Sequence, residues 1–254
     1  MTGYLTIAEA REATGLRLVG LRGVPSPWTE AARGLFHVKG LECRYAARGR
    51  DEPEDALAQW AGDSGIPVVA WNREPLRTGW AEILLLAERL APEPALIPAD
   101  AEGRAELFGL GHEICGEMGL GWSLRLMMIQ RSLGHGGGPG FPPAVASHLA
   151  GKYGFNPHAA GQARGRVLDI LAMLDGRLAR HPFLIGESLT AADVYWATFA
   201  NLLTPLPEAE LPAAPMIRQV YESADADVLA AVTERLRRHQ RFIYDRYLEL
   251  PVPL

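Results

Sequence analysis

Residues Gly65 to Leu90 read G-I-P-V-V-A-W-N-R-E-P-L-R-T-G-W-A-E-I-L-L-L-A-E-R-L. The stretch changes period midway. Pro67 to Trp71 is a short apolar run opened by a proline, as the first residue of a strand can be. Asn72-Arg73 supplies a turn into a short fourth strand. From about Thr78 onward, Trp80, Ile83, Leu84, Ala87 and Leu90 recur at helical spacing. Leucines on the remaining faces predict that this helix is deeply buried.

Upstream, Leu5 to Thr14 reads as a short helix and Leu16 to Leu21 as a first strand. Ser26-Pro27-Trp28 is a helix start: serine is a preferred cap and proline fits the first helical position. That helix runs to about Lys39, and Gly40 is placed to end it in the left-handed conformation. Leu41 to Ala46 is the second strand, Pro53 to Trp60 a short helix or irregular segment, and G-D-S-G (Gly62 to Gly65) a loop. The order is βαβ and then ββα. A helical crossover between the first two strands makes them parallel.

Downstream, Ala91 to Pro98 holds three prolines in eight residues and reads as a linker. No convincing alternating strand follows. Helices are expected at about 101–118, 121–133, 144–153, 158–180, 190–204 and 225–248. In the fourth of these, Val167, Ile170, Leu171, Leu174 and Leu178 form an apolar stripe. Gly134 to Gly140 is a glycine-rich loop. The segment Phe183 to Phe199, F-L-I-G-E-S-L-T-A-A-D-V-Y-W-A-T-F, contains an N-terminal capping pattern in Thr190-Ala191-Ala192-Asp193.

Composition narrows the function. The 254 residues are 48% hydrophobic and 22% charged, the balance of a chain able to bury a substantial core. A net charge of -5 argues against a nucleic-acid binder. No apolar run approaches the roughly 18 residues of a transmembrane helix, and the first residues lack a secretion-signal pattern. Cys43 and Cys115 are the only cysteines, too few for a disulfide framework. A reducing, cytoplasmic compartment is the simplest expectation.

The two quoted segments, in this order, resemble the cytosolic glutathione S-transferase superfamily, over roughly Leu16 to Tyr247. The resemblance implies a thioredoxin-like α/β domain over 1–90 and an all-helical substrate domain over 99–254. It implies glutathione as co-substrate, a small electrophile as second substrate and a homodimer. The loop V-P-S-P-W puts Ser26 at the position that meets the glutathione sulfur. Read from the residues alone, Ser26 caps a helix. Around the ligand the resemblance places Trp28, Ile66, Pro67, Thr78 and Gly79. Pro67 corresponds to a cis proline that frees the Ile66 backbone to pair with an extended peptide. Thr78-Gly79 departs from the family's usual acidic-Ser pair, so the charge that would meet the ligand's ammonium is missing. Two other readings follow from that departure and from Ser26. One is a non-catalytic binding or scaffold protein that keeps the fold; the other is a glutathione-dependent isomerase or dehalogenase.

Other features read as structural. His112-Glu113 lacks the second histidine of a zinc motif, and the Gly134–Gly140 loop lacks the ending of a phosphate loop. Arg235, Arg237, Arg238 and Arg241 form a solvated basic face. Trp122, Met127 and Met128 fit core packing; the alternative is an apolar second-substrate pocket.

Overall fold

A computed structural model describes residues 3–47, 55–62, 65–135 and 139–254. Strand β1 (Leu16–Gly20) lies at the centre of a three-stranded sheet of order β2-β1-β3 and is buried along its length. After β1 the chain crosses through helix α2 (Pro27–Val38) into β2 (Cys43–Ala47), which runs parallel to β1. Strand β3 (Val68–Trp71) is antiparallel to β1, with Leu16 opposite Trp71 and Val19 opposite Val68. The expected fourth strand reduces to a single bridge. Arg77 exchanges two backbone hydrogen bonds with Val69, at 2.8 and 2.9 Å. Pro75 has no N–H to extend that ladder, and Asn72, in the left-handed region at φ 49°, spends the preceding residues on the turn.

Helices α1 (Ile7–Glu12), α3 (Ala56–Ala61) and α4 (Trp80–Leu90) complete this half. The expected segment at Pro53 and the middle of the G-D-S-G loop lie outside the described residues. Arg17 is buried in β1, and its guanidinium is satisfied by the carbonyls of Ala10, Gly15 and Asn72. In the linker, buried Lys39 at the end of α2 donates to the carbonyls of Ala91 at 2.8 Å and Pro94 at 2.9 Å. It also pairs with Glu88 of α4 at 2.7 Å. All three ammonium protons are thereby used.

The second half is helical: α5 (Ala101–Cys115), α6 (Leu120–Gln130), α7 (Pro143–Lys152), α8 (Pro157–Leu178), α9 (Ala191–Phe199), α10 (Pro215–Tyr221), α11 (Ala226–Ala231) and α12 (Glu234–Tyr247). Helix α6 runs on into a π-helical turn, Arg131–His135, whose Gly134 has φ 83°. Residues 136–138 of the glycine loop lie outside the described residues. A second expectation needs correction. The helix expected over 225–248 breaks at Val232, because Thr233 starts a new helix by accepting from the Leu236 N–H. Helix α10 was not anticipated, although Pro215 stands at its first turn. Four arginines of α12 have partners: Arg235 with Asp175, Arg238 with Glu234, Arg241 with Glu210 and Asp245, and Arg237 with backbone carbonyls.

Helix α9 is the axis of the molecule. Every one of its residues is buried, and it packs against α2, α5 and α12. Gly34 lets α2 approach: a Cβ there would crowd Val194 and Leu248. The Asp193 carboxylate, fully buried, accepts from the Thr190 N–H and hydroxyl at 2.9 Å each, and from the Leu184 N–H at 2.8 Å. His239 Nε2 of α12 lies 2.9 Å from the same carboxylate. Removing it strands several buried donors, each worth about 1–3 kcal/mol. Asp193→Ala is therefore expected to cost about 3 kcal/mol or more and to lower the melting temperature by roughly 10 °C. Thermal unfolding followed by circular dichroism checks this; a shift under about 2 °C would contradict the assignment.

Candidate functional site

The antiparallel register of β1 and β3 brings the C-terminal end of β1 beside the N-terminal end of β3. The Arg77 bridge carries the same pattern forward, so Thr78 and Gly79 return to the Pro67 end of the sheet. The loop after β1 also leaves from this end and delivers Ser26. Four of the sequence-predicted positions, Ser26, Pro67, Thr78 and Gly79, thus share one rim of the sheet, with Ile66 beside Pro67. The Ile66–Pro67 bond is cis; Pro67 is buried and Ile66 half-buried.

Ser26 is the N-cap residue of α2, with extended backbone at φ -73° and ψ 119°. Its carbonyl accepts the first helical bond from Glu30 at 2.9 Å. Its hydroxyl, however, makes no bond to the helix. The capping that residue type alone suggests is not realised, and the hydroxyl stands beside the partial positive charge of the helix start.

Thr78 does not cap α4 either. It is exposed and lies one residue ahead of the N-cap, Gly79. The Glu82 carboxylate folds back over Gly79, into the space a Cβ would fill. An acidic group therefore stands at the start of α4 after all, on the helix rather than before it. The sequence carries the signal as Gly79-Trp80-Ala81-Glu82, a glutamate at the third helical position. Without a Ser or Thr at the cap it does not match the standard capping box.

Trp28 turns toward the helical half. Its indole N–H donates to the Cys115 carbonyl at 2.9 Å, and its ring meets Phe199 edge-on at 4.9 Å and Tyr153 at 6.0 Å. Gly121 makes this closeness possible, since a Cβ there would run into Phe199. Trp28, Pro67 and Trp80 line a small apolar cavity with Cys115 and Tyr195. Burial pushes the Cys115 thiol well up, so it is no nucleophile. The loop before Ser26 is pinned from α10, where the Tyr221 hydroxyl donates to the Pro25 carbonyl at 3.1 Å. Met127 and Met128 are buried, while half-buried Trp122 meets Tyr153 edge-on at 4.9 Å.

On the other side of α2, Glu30 and Arg33 face a pocket closed by Tyr244, Leu248 and the C-terminal Val252-Pro253. Burial lifts the Glu30 carboxyl from an ordinary 4.5 to about 7; Arg33 Nε, 3.4 Å away, opposes that rise and Glu249 adds to it. A carboxyl raised on folding favours the folded state when protonated. That contribution is full below about pH 4.5 and is lost as pH rises through about 7. The melting temperature should fall between about pH 5 and pH 8, and Glu30→Gln should flatten the fall. Melting curves of both proteins across this range decide; parallel pH profiles would show that Glu30 is already ionised near pH 5.

Comparison with known proteins agrees with this architecture. Residues 156–235 match the family described as "Glutathione S-transferase, C-terminal domain". The sequence matches no curated protein at a significant level. Among solved structures, a glutathione transferase family member from Pseudomonas fluorescens, with two glutathione bound, superposes with a TM-score of 0.64 at 13% identity, covering 95% of each chain. A glutathione S-transferase from Methylobacterium radiotolerans, in complex with glutathione sulfonate, gives 0.61 at 18% identity over 92% of each chain. A maleyl pyruvate isomerase of the zeta class gives 0.50 at 17% identity, covering 88% of this chain and 95% of its own. The fold is that of the glutathione S-transferase superfamily, a thioredoxin-like unit joined to a helical one, as the sequence resemblance implied.

Proposed function

We propose that this chain is a glutathione-dependent transferase that activates the glutathione thiol for attack on a small electrophile. The Ser26 hydroxyl carries the reading: it sits at the N-terminus of α2 without serving the helix, on the sheet rim it shares with Pro67 and Gly79. The residues present fit the ligand. The Ile66 backbone beside Pro67 offers an edge for an extended peptide, and the N–H groups at the start of α4 suit a carboxylate. Glu82 supplies the negative charge for the γ-glutamyl ammonium that Thr78-Gly79 does not. Trp28 serves by fixing the cleft between the halves.

In this reading the glutathione thiol gives its proton to solvent, and the Ser26 hydroxyl with the α2 dipole holds the thiolate. The sulfur pair forms a bond to the electrophilic carbon while the leaving group departs with its own pair. Holding both partners in one geometry supplies much of the rate. Glutathione lies on the thioredoxin-like part, 1–90, and the electrophile against the helical part, 99–254. The expected setting is a cytoplasmic homodimer, and no helix among the described residues is long and apolar enough to cross a membrane.

Ser26→Ala should cut turnover at least about tenfold with little change in glutathione affinity, as for loss of one anion-stabilising donor. Steady-state kinetics with 1-chloro-2,4-dinitrobenzene tests this, and unchanged turnover removes Ser26 from the chemistry. Glu82 is exposed, so Glu82→Gln should weaken glutathione binding by only about threefold. Calorimetric titration reads that change. Tighter binding in the variant would instead mean that Glu82 blocks the helix terminus.

A further inference from the structure

Arg125 of α6 is an arginine where none is needed for solubility. It is 7% exposed and sits in the apolar run L-R-L-M-M-I. Its Nη2 donates to the Tyr221 hydroxyl at 3.0 Å, and its Nη1 lies 3.7 Å from the Met128 sulfur, a weak acceptor. Tyr153 also hydrogen-bonds it. Its guanidinium lies 5.4 Å from the Tyr221 ring centre and 5.8 Å from that of Phe141. Among the described residues the groups that bear on its charge are Tyr221 and Tyr153, not a carboxylate. Burial disfavours the charge, but the phenol oxygens of Tyr221 and Tyr153 outweigh this and the group keeps its proton. A buried cation without an anion is costly. Arginine is also the residue suited to bidentate recognition of a carboxylate.

Its position matters. The Tyr221 that holds Arg125 donates in turn to the Pro25 carbonyl, next to Ser26. The Tyr153 that holds it meets Trp28 and Trp122. The guanidinium is thus two hydrogen bonds from the loop that carries the candidate thiolate-stabilising group, and it lies beside the rings of Tyr221 and Phe141.

We propose that Arg125 is a specificity-determining residue for the second substrate, selecting electrophiles that carry a carboxylate on an aromatic or other flat apolar body. The inference rests on the transferase reading for its chemistry, but the anion site can be measured without it. The carboxylate replaces Met128 as partner of the guanidinium, while Tyr221 and Tyr153 keep it oriented. The reactive carbon is then presented toward the Ser26 loop.

The test pairs 4-chloro-3-nitrobenzoate with its methyl ester, which differ chiefly in charge. Sulfur attack at the chlorine-bearing carbon forms the thioether and releases chloride; the thiol proton goes to solvent. The wild-type kcat/KM should favour the acid over the ester, after correction for the uncatalysed rates. Arg125→Gln should lower that acid-to-ester ratio about tenfold, the scale of one charge-assisted pair, and Arg125→Lys should lower it less. Calorimetry of the acid and the ester without glutathione reads the anion site directly. Binding of the acid but not the ester, lost in Arg125→Gln, supports the proposal even if no conjugation occurs; in that outcome only the transferase reading fails. Equal handling of acid and ester by the wild-type protein, in both kinetics and binding, overturns the assignment, and that arm needs no variant to fold.

Discussion

The Asp193 carboxylate ties together the start of α9, the chain at Leu184 and helix α12, and α9 is the surface against which α2 packs. One buried anion orders the start of α9, fixes the chain at Leu184 and meets His239 of α12. Helix α9 in turn gives α2 its packing surface, and α2 sets the position of Ser26. Moving the anion would shift the helix start, and with it the loop at the sheet rim. A buried charge with this many donors is tolerable because its lone pairs are filled.

The sequence revealed what depends on local chemistry. Strand order, the crossover and most helix positions follow from period, proline placement and caps, all set within a few residues. The two misjudged stretches show where that stops. The 225–248 segment has a continuous helical period, yet Thr233 restarts the helix where a side-chain cap becomes available. The fourth strand has strand-like residues, yet Pro75 leaves it one bridge long.

Legibility of the candidate site divides the same way. Ser26, Pro67 and Gly79 come from the family resemblance; their residue types alone indicate a helix cap, a strand start and a turn. That the Ser26 hydroxyl does not cap α2, and that Thr78 precedes rather than caps α4, depends on side-chain rotation and on a helix beginning two residues later. Glu82 shows itself only once its carboxylate is seen over Gly79. Arg125 is visible as a charge inside an apolar run, but its meaning comes from Tyr153 and Tyr221, contributed by distant parts of the chain. Contacts so far apart in sequence leave no periodic trace.

Lys39 has a consequence for how such a protein diversifies. Its ammonium fastens the linker through two carbonyls and a carboxylate, with no proton left to exchange. It holds the ends of α2 and α4 and the start of the linker as one piece. A new ligand is reached by recutting the wall of the cleft, one residue at a time, while the frame stays riveted. Helical halves exchanged between relatives would keep their alignment only where the rivet and its two carbonyl seats travel together.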